Sequence, residues 1–249
     1  MRRRCVKNTL LLVALCLGLS HFALANEDSR ASVRTRLASE YYKVGQYPIA
    51  VDEAKKAIAA DAKYVLAYNV MALSYWALGD KTTAADIFKQ ALKIEPNNSD
   101  VNHNYANFLC ANGQVQQAET HFNTALSDPL YPTPENTMMA AANCALSNQD
   151  NALAAQWYKK ILIQRPNYLQ AKFQLSNLML KSGDLPEAKR LFVDLYRSSK
   201  PTPVELLWLG VRIERAIGNK TAEQRYAKEL LSAFPDSVEA TKLQIGKYD

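Results

Sequence analysis

The chain has 249 residues, 48% of them hydrophobic, and a formal net charge of +6. Four of those charges, Arg2, Arg3, Arg4 and Lys7, lie within the first 25 residues, which hold no acidic side chain and leave +2 on the remainder. So mild a balance excludes the dense basic surface that nucleic acid calls for, and no nucleic-acid partner is expected.

The N-terminus reads as a targeting segment. Its basic residues precede an apolar run from Thr9 to Leu19 and then Ala23-Leu24-Ala25, a small-x-small cleavage site. This is the layout of a secretory signal peptide. A membrane-spanning helix takes roughly 20 apolar residues, and His21 and the polar residues from Asn26 onward cut this run short. Residues 1–25 are expected to be removed and 26–249 to form the exported protein. The alternative is lipidation at Cys16, where Leu15 stands in place of the usual small residue; membrane association is expected only in that case.

From residue 31 onward the sequence repeats. Gly45, Gly79, Gly113, Gln149 (standing in for glycine), Gly183 and Gly218 are separated by 34, 34, 36, 34 and 35 residues. Five residues beyond the first five of these come Ala50, Ala84, Ala118, Ala154 and Ala188, and four further on Phe88, Phe122, Tyr158 and Phe192. Pro96, Pro166, Pro201 and Pro235 close units. Each unit reads as two amphipathic helices around a tight turn, as in Met71, Tyr75 and Leu78 before Gly79 and Ala84, Ile87, Phe88, Ala91 and Leu92 after it. The glycine supplies a left-handed helix stop. The units run approximately 31–64, 65–98, 99–134, 135–168, 169–202 and 203–236, and the tail from Asp236 supplies a closing helix.

This pattern resembles the tetratricopeptide repeat, most clearly at Tyr68, Met71, Ala72, Tyr75, Gly79, Ala84, Phe88, Ala91 and Pro96. The implied fold is all-α, a tetratricopeptide-repeat solenoid of about six helix-turn-helix repeats whose first helices line a concave groove.

Removal of the first 25 residues leaves two cysteines, Cys110 and Cys144, 34 residues apart and near the ends of consecutive first helices. In an exported chain such a pair is a candidate disulfide. Two buried thiols packing as small apolar groups remain an alternative. A metal site with His103 and His121 is disfavoured, because His121 falls on a second helix and no C-x2-C or H-x3-H pair is present.

A narrower resemblance follows from three segments. Asn104, Tyr105, Phe108, Leu109 and Cys110, then Pro129, Tyr131, Pro132, Thr133 and Pro134, then Cys144 resemble the PilF/PilW family of type IV pilus biogenesis and stability proteins. The resemblance implies a periplasmic solenoid at or near the outer membrane, supporting assembly or localisation of the secretin and stability of the pilus. It also implies a disulfide joining Cys110 and Cys144. The expected partner is the outer-membrane secretin or another pilus component.

Groove positions are expected at the second, fifth, ninth and twelfth residues of each unit. The ninth is Asn107, Asn143 and Asn177 in units three to five; an amide side chain offers one acceptor and two donors to a peptide backbone. Beside this ladder come Leu73, Trp76, Met139, Leu146, Phe173, Leu180 and Leu207, an apolar set that suggests a partner surface. The loop around Tyr131, Pro132 and Pro134 is a second candidate.

No phosphate-cradling loop, serine elbow or paired metal motif is present, carboxylates lie among lysines as i,i+4 pairs, and no catalytic residue, metal or cofactor is expected. The leading reading is a non-enzymatic adaptor. Its rivals are a periplasmic scaffold for another cell-envelope process and a redox protein that switches the Cys110–Cys144 pair.

Overall fold

The computed structural model describes residues 30–248. The signal peptide, its cleavage after Ala25 and the fate of Cys16 lie outside the described residues. Within them the chain is all helix and loop, with no strand. It contains α1 (30–43), α2 (Tyr47–Ala60), α3 (Val65–Ala77), α4 (Lys81–Ile94), α5 (Ser99–Ala111), α6 (Val115–Ala125), α7 (Pro134–Ser147), α8 (Asn151–Gln164), α9 (Leu169–Ser182), α10 (Leu185–Ser198), α11 (Val204–Ile217), α12 (Lys220–Ala233) and α13 (Val238–Gln244). The first twelve form six pairs, and α13 is the closing helix expected of the tail. Among the described residues no helix is long and apolar enough to cross a membrane.

Helix ends follow from local chemistry. Asp80, Asn98, Asp150, Asp184 and Asn219 each accept a bond from the backbone N–H three residues on, which satisfies one donor that a first turn leaves open. Each first helix stops where the chain enters a left-handed residue. Glycine fills that place in five pairs, and Gln149 fills it in the fourth at φ 62°.

The chain divides after Pro134 into two compact units. In the first, Phe88 and Phe122 on the second helices α4 and α6 are buried, and Phe88 packs on Tyr105 and Phe108 of α5 with ring centroids 5.3 and 5.7 Å away. Small buried residues, Ala72 on α3 and Ala106 on α5, let the paired helices approach. The second unit repeats the scheme with Tyr158, Phe192 and Tyr226 as the large residues and Ala142, Ser176 and Gly210 as the small ones. Ser176 Oγ donates to the Ala188 carbonyl at 2.8 Å and locks α9 to α10. Each fully buried large apolar side chain contributes about 1.5–3 kcal/mol, so the stacks are held mainly by these layers.

Candidate binding surface

In the first unit the candidate residues lie on α3 and α5. Leu73 and Trp76 are half-buried, and the Trp76 indole stands edge-on to Phe108 at 5.5 Å. Asn104 donates from α5 to Asn69 Oδ1 on α3 at 3.2 Å. One turn further, Asn107 donates to Nε2 of His103 at 3.0 Å. Burial lowers the pKa of His103 against an opposing pull from Asp100; the neutral ring accepts at Nε2 and carries its proton on Nδ1. On α6, His121 donates from Nδ1 to Oδ1 of buried Asn102, 2.8 Å away, while Asn102 donates to the Pro96 and Asn98 carbonyls at 2.9 Å. The amide of Asn102 is fully satisfied, so this second network fixes the start of α5 rather than presenting groups to a ligand.

The loop before α7, the second candidate, is partly folded inward. Tyr131 is buried and helps line a cleft of about 600 Å3 with Pro96, Asn97, Asp100 and Asp128. An Asp128 turn, closed by Leu130 N–H on Oδ1 at 2.8 Å, folds the ring inward. Pro132 is exposed, as is Leu130. Pro134 does not belong to the loop: it opens α7, where a residue without an N–H costs nothing.

In the second unit the expected groove set separates. Phe173, Asn177, Leu146 and Leu180 are half-buried and Asn143 is exposed. Met139 and Leu207, at 7% and 1% exposure, are core residues and line no groove. The reason is the breadth of the buried faces: α7 buries Met138, Met139, Ala141 and Ala142, and α11 buries every residue from Leu206 to Val211. Asn143 Oδ1 accepts from the Tyr158 hydroxyl at 3.3 Å. Asn177 donates to the Phe173 carbonyl at 3.2 Å, and its Oδ1 accepts from Arg212 at 3.3 Å. Phe173 borders an apolar cleft of about 300 Å3 with Leu169, Leu195, Pro203 and Leu206. The three asparagines therefore share a register, but each has a different internal partner.

The periodic reading missed Trp208, Arg212 and Arg215. Trp208 follows Leu207 by one position, and the three residues sit at i, i+4 and i+7 on α11. That spacing, an aromatic and two guanidinium groups on one helix face, is the signal that marks them.

Cys110 and Cys144, the two cysteines among the described residues, are both disulfide-bonded. Among those residues no three His, Cys, Asp or Glu side chains gather at metal-binding separation. The surfaces offer amides, aromatic rings and guanidinium groups, a chemistry suited to holding peptide.

Comparison with known proteins agrees with this geometry. Family models described as tetratricopeptide repeat match residues 35–99 and 109–168, half of the chain, and 75–128. The fold class is thereby that of a tetratricopeptide-repeat protein. The crystal structure of PilW, described as a widely conserved type IV pilus biogenesis factor, is 30% identical at a TM-score of 0.68, covering 86% of this chain and 98% of that one. The chain belongs to the PilF/PilW family of tetratricopeptide-repeat proteins. Pseudomonas aeruginosa pilF shares the fold at a TM-score of 0.71 and 20% identity, covering 89% of this chain and 100% of its own. An uncharacterised Haemophilus influenzae protein is 27% identical over 150 residues, 60% of this chain and 83% of that protein.

Proposed function

We propose that this chain is a non-enzymatic periplasmic adaptor for type IV pilus biogenesis. Through protein–protein binding it supports assembly or localisation of the outer-membrane secretin and stability of the pilus. The observation that carries this reading is the 30% identity to PilW sustained over 98% of that protein. Export through residues 1–25 supplies the compartment, and the secretin or another pilus component supplies the partner.

The half-buried Trp76, Asn107, Phe173 and Asn177 support a binding role, because rings and amides on first helices can grip an extended backbone without bond-making chemistry. Deleting the gene and counting pili and heat-stable secretin multimers tests the proposal. Loss of both, restored by the wild-type chain, is the expected result. Normal pili and multimers would overturn it, and capture of other envelope components by affinity purification from envelope extracts would assign the adaptor to another process. Intact-mass analysis of the purified protein should give a chain beginning at Asn26; a lipid adduct on Cys16 would instead place it on the membrane.

A further inference from the structure

The last residues of the second unit turn back onto its final repeat. After α13, Gly246 takes a left-handed backbone at φ 71° and Lys247 N–H bonds to the Lys242 carbonyl at 2.9 Å. This reversal brings Tyr248 against α11. Its ring stacks on Trp208, with centroids 5.7 Å apart and planes within 13°, and lies 3.8 Å from the Arg215 guanidinium. Arg212 donates from Nε to the Tyr248 carbonyl at 3.0 Å, and the same side chain is steadied by Asn177 of α9. Glu223 holds Arg215 at 3.0 Å.

We propose that Asn177, Trp208, Arg212 and Arg215 form a peptide-binding site for an extended partner segment bearing an aromatic residue, and that the chain's own tail is its intramolecular occupant. Three features carry this inference. The site reads its occupant through a ring and a backbone carbonyl, groups that any peptide containing an aromatic residue possesses. Its parts are Trp and Arg, the residues in which binding energy concentrates at interfaces, and a guanidinium over a ring adds attraction that strengthens as water is excluded. The tail is weakly tied: Ile245 and Lys247 are exposed, so Tyr248 is its main anchor. A segment anchored through one residue, with exposed neighbours and few buried apolar contacts, opens at low cost.

Tethering sets how strongly the tail competes. A short flexible connection gives an effective concentration on the order of millimolar, so a free peptide of the same sequence should bind the intact chain poorly. A partner segment displaces the tail when it engages further contacts, such as the cleft beside Phe173. The inference does not depend on the identity of the partner or on the pilus reading.

The test uses the full chain carrying Tyr248→Ala and a dye-labelled synthetic peptide of residues 243–249, Leu-Gln-Ile-Gly-Lys-Tyr-Asp. Fluorescence anisotropy should show at least tenfold tighter binding to the variant than to wild type. The gain should vanish when Arg212→Gln is added, or when the tyrosine of the peptide is replaced by alanine. Equal binding to both proteins, or none to either, overturns the proposal and leaves the tail as a structural cap. Should Tyr248→Ala fail to fold, hydrogen exchange at Lys247 in the wild-type chain decides: millimolar peptide must accelerate it, and an unchanged rate counts against the site. A wild-type dimer that dissociates in Tyr248→Ala would assign the pocket to a second copy of the chain and overturn the partner reading.

Discussion

Gln149 occupies a conformation that its side chain disfavours. At φ 62° it closes the α7–α8 turn in the left-handed region that glycine fills in the other pairs, and the Cβ of an L-residue there costs about 1–2 kcal/mol. Gln149→Gly should therefore raise unfolding stability by about 1 kcal/mol, whereas Gln149→Ala should give no gain; urea titration reads both. The converse holds at Gly79, where φ is 84° and nothing lies within 4 Å of an added Cβ. There Gly79→Ala should cost about 1 kcal/mol from backbone strain alone. An unchanged midpoint in both variants would mean that the turns relax at no expense. The turn position was legible in the sequence because it recurs every 34 to 36 residues. The cross-helix partners of Asn143 and Asn177 were not, because a period shows which residues correspond and is silent on what each neighbouring helix brings to them. Asn143 meets Tyr158, while Asn177 meets Arg212.

Helix pairing is set by small residues at the crossings, and Gly210 leaves no room for a Cβ. A Cβ added there would lie 2.4 Å from Cζ of Phe192, 2.8 Å from its Cε2 and 3.2 Å from the Tyr226 ring. Phe192 is fully buried and has little room to yield. Gly210→Ala gains about 1 kcal/mol of helix propensity but forces overpacking worth about 1–3 kcal/mol, so a net loss of about 1 kcal/mol is expected in denaturant titration. Combined with Phe192→Leu it should cost less than the two changes summed, since the smaller side chain vacates the contested space. An additive double variant would show that the ring was not the obstacle. A buried charge makes the second test on these elements. Glu214 is 1% exposed, with Lys189 at 3.0 Å and Asn219 at 2.9 Å on its carboxylate. Lys189→Met strands that charge; because Lys189 is partly exposed and Asn219 remains, the loss should be about 2 kcal/mol, below the roughly 3–5 kcal/mol of a wholly buried pair. Helix number and pairing were readable from the alternation of Gly, Ala and aromatic residues. The exposure of single groove positions was not: Met139 and Leu207 sit at correct repeat positions, yet the buried faces of α7 and α11 are wide enough to take them in.

For the molecule as a whole, His103 and His121, the two histidines among the described residues, predict how stability responds to pH. Burial lowers the pKa of both His103 and His121 below the ordinary 6.5, and for His103 Asp100 opposes this only in part. The folded chain therefore resists a proton that the unfolded chain accepts. As pH falls through about 6.5 the unfolded state binds more protons and stability declines; the decline ends once pH is below the folded values. A second loss begins at lower pH. Glu53, held low first by the hydrogen bond from Lys56, and Glu187, held low first by that from Arg190, contribute stability above the ordinary carboxylate range that disappears as pH falls through their folded values. The two phases separate by substitution. Urea midpoints of wild type should drop between pH 7.5 and 5.5, while His103→Gln/His121→Gln should be nearly flat across that interval and fall only at the acid end. A double variant that keeps the wild-type slope would place the titrating groups elsewhere and show that the neutral rings in the α5–α6 networks do not govern it. Because the chain divides into two compact units, probes in each should differ: the near-neutral loss belongs to the unit that holds Asn102 and Asn107, and the other unit should respond mainly through Glu187.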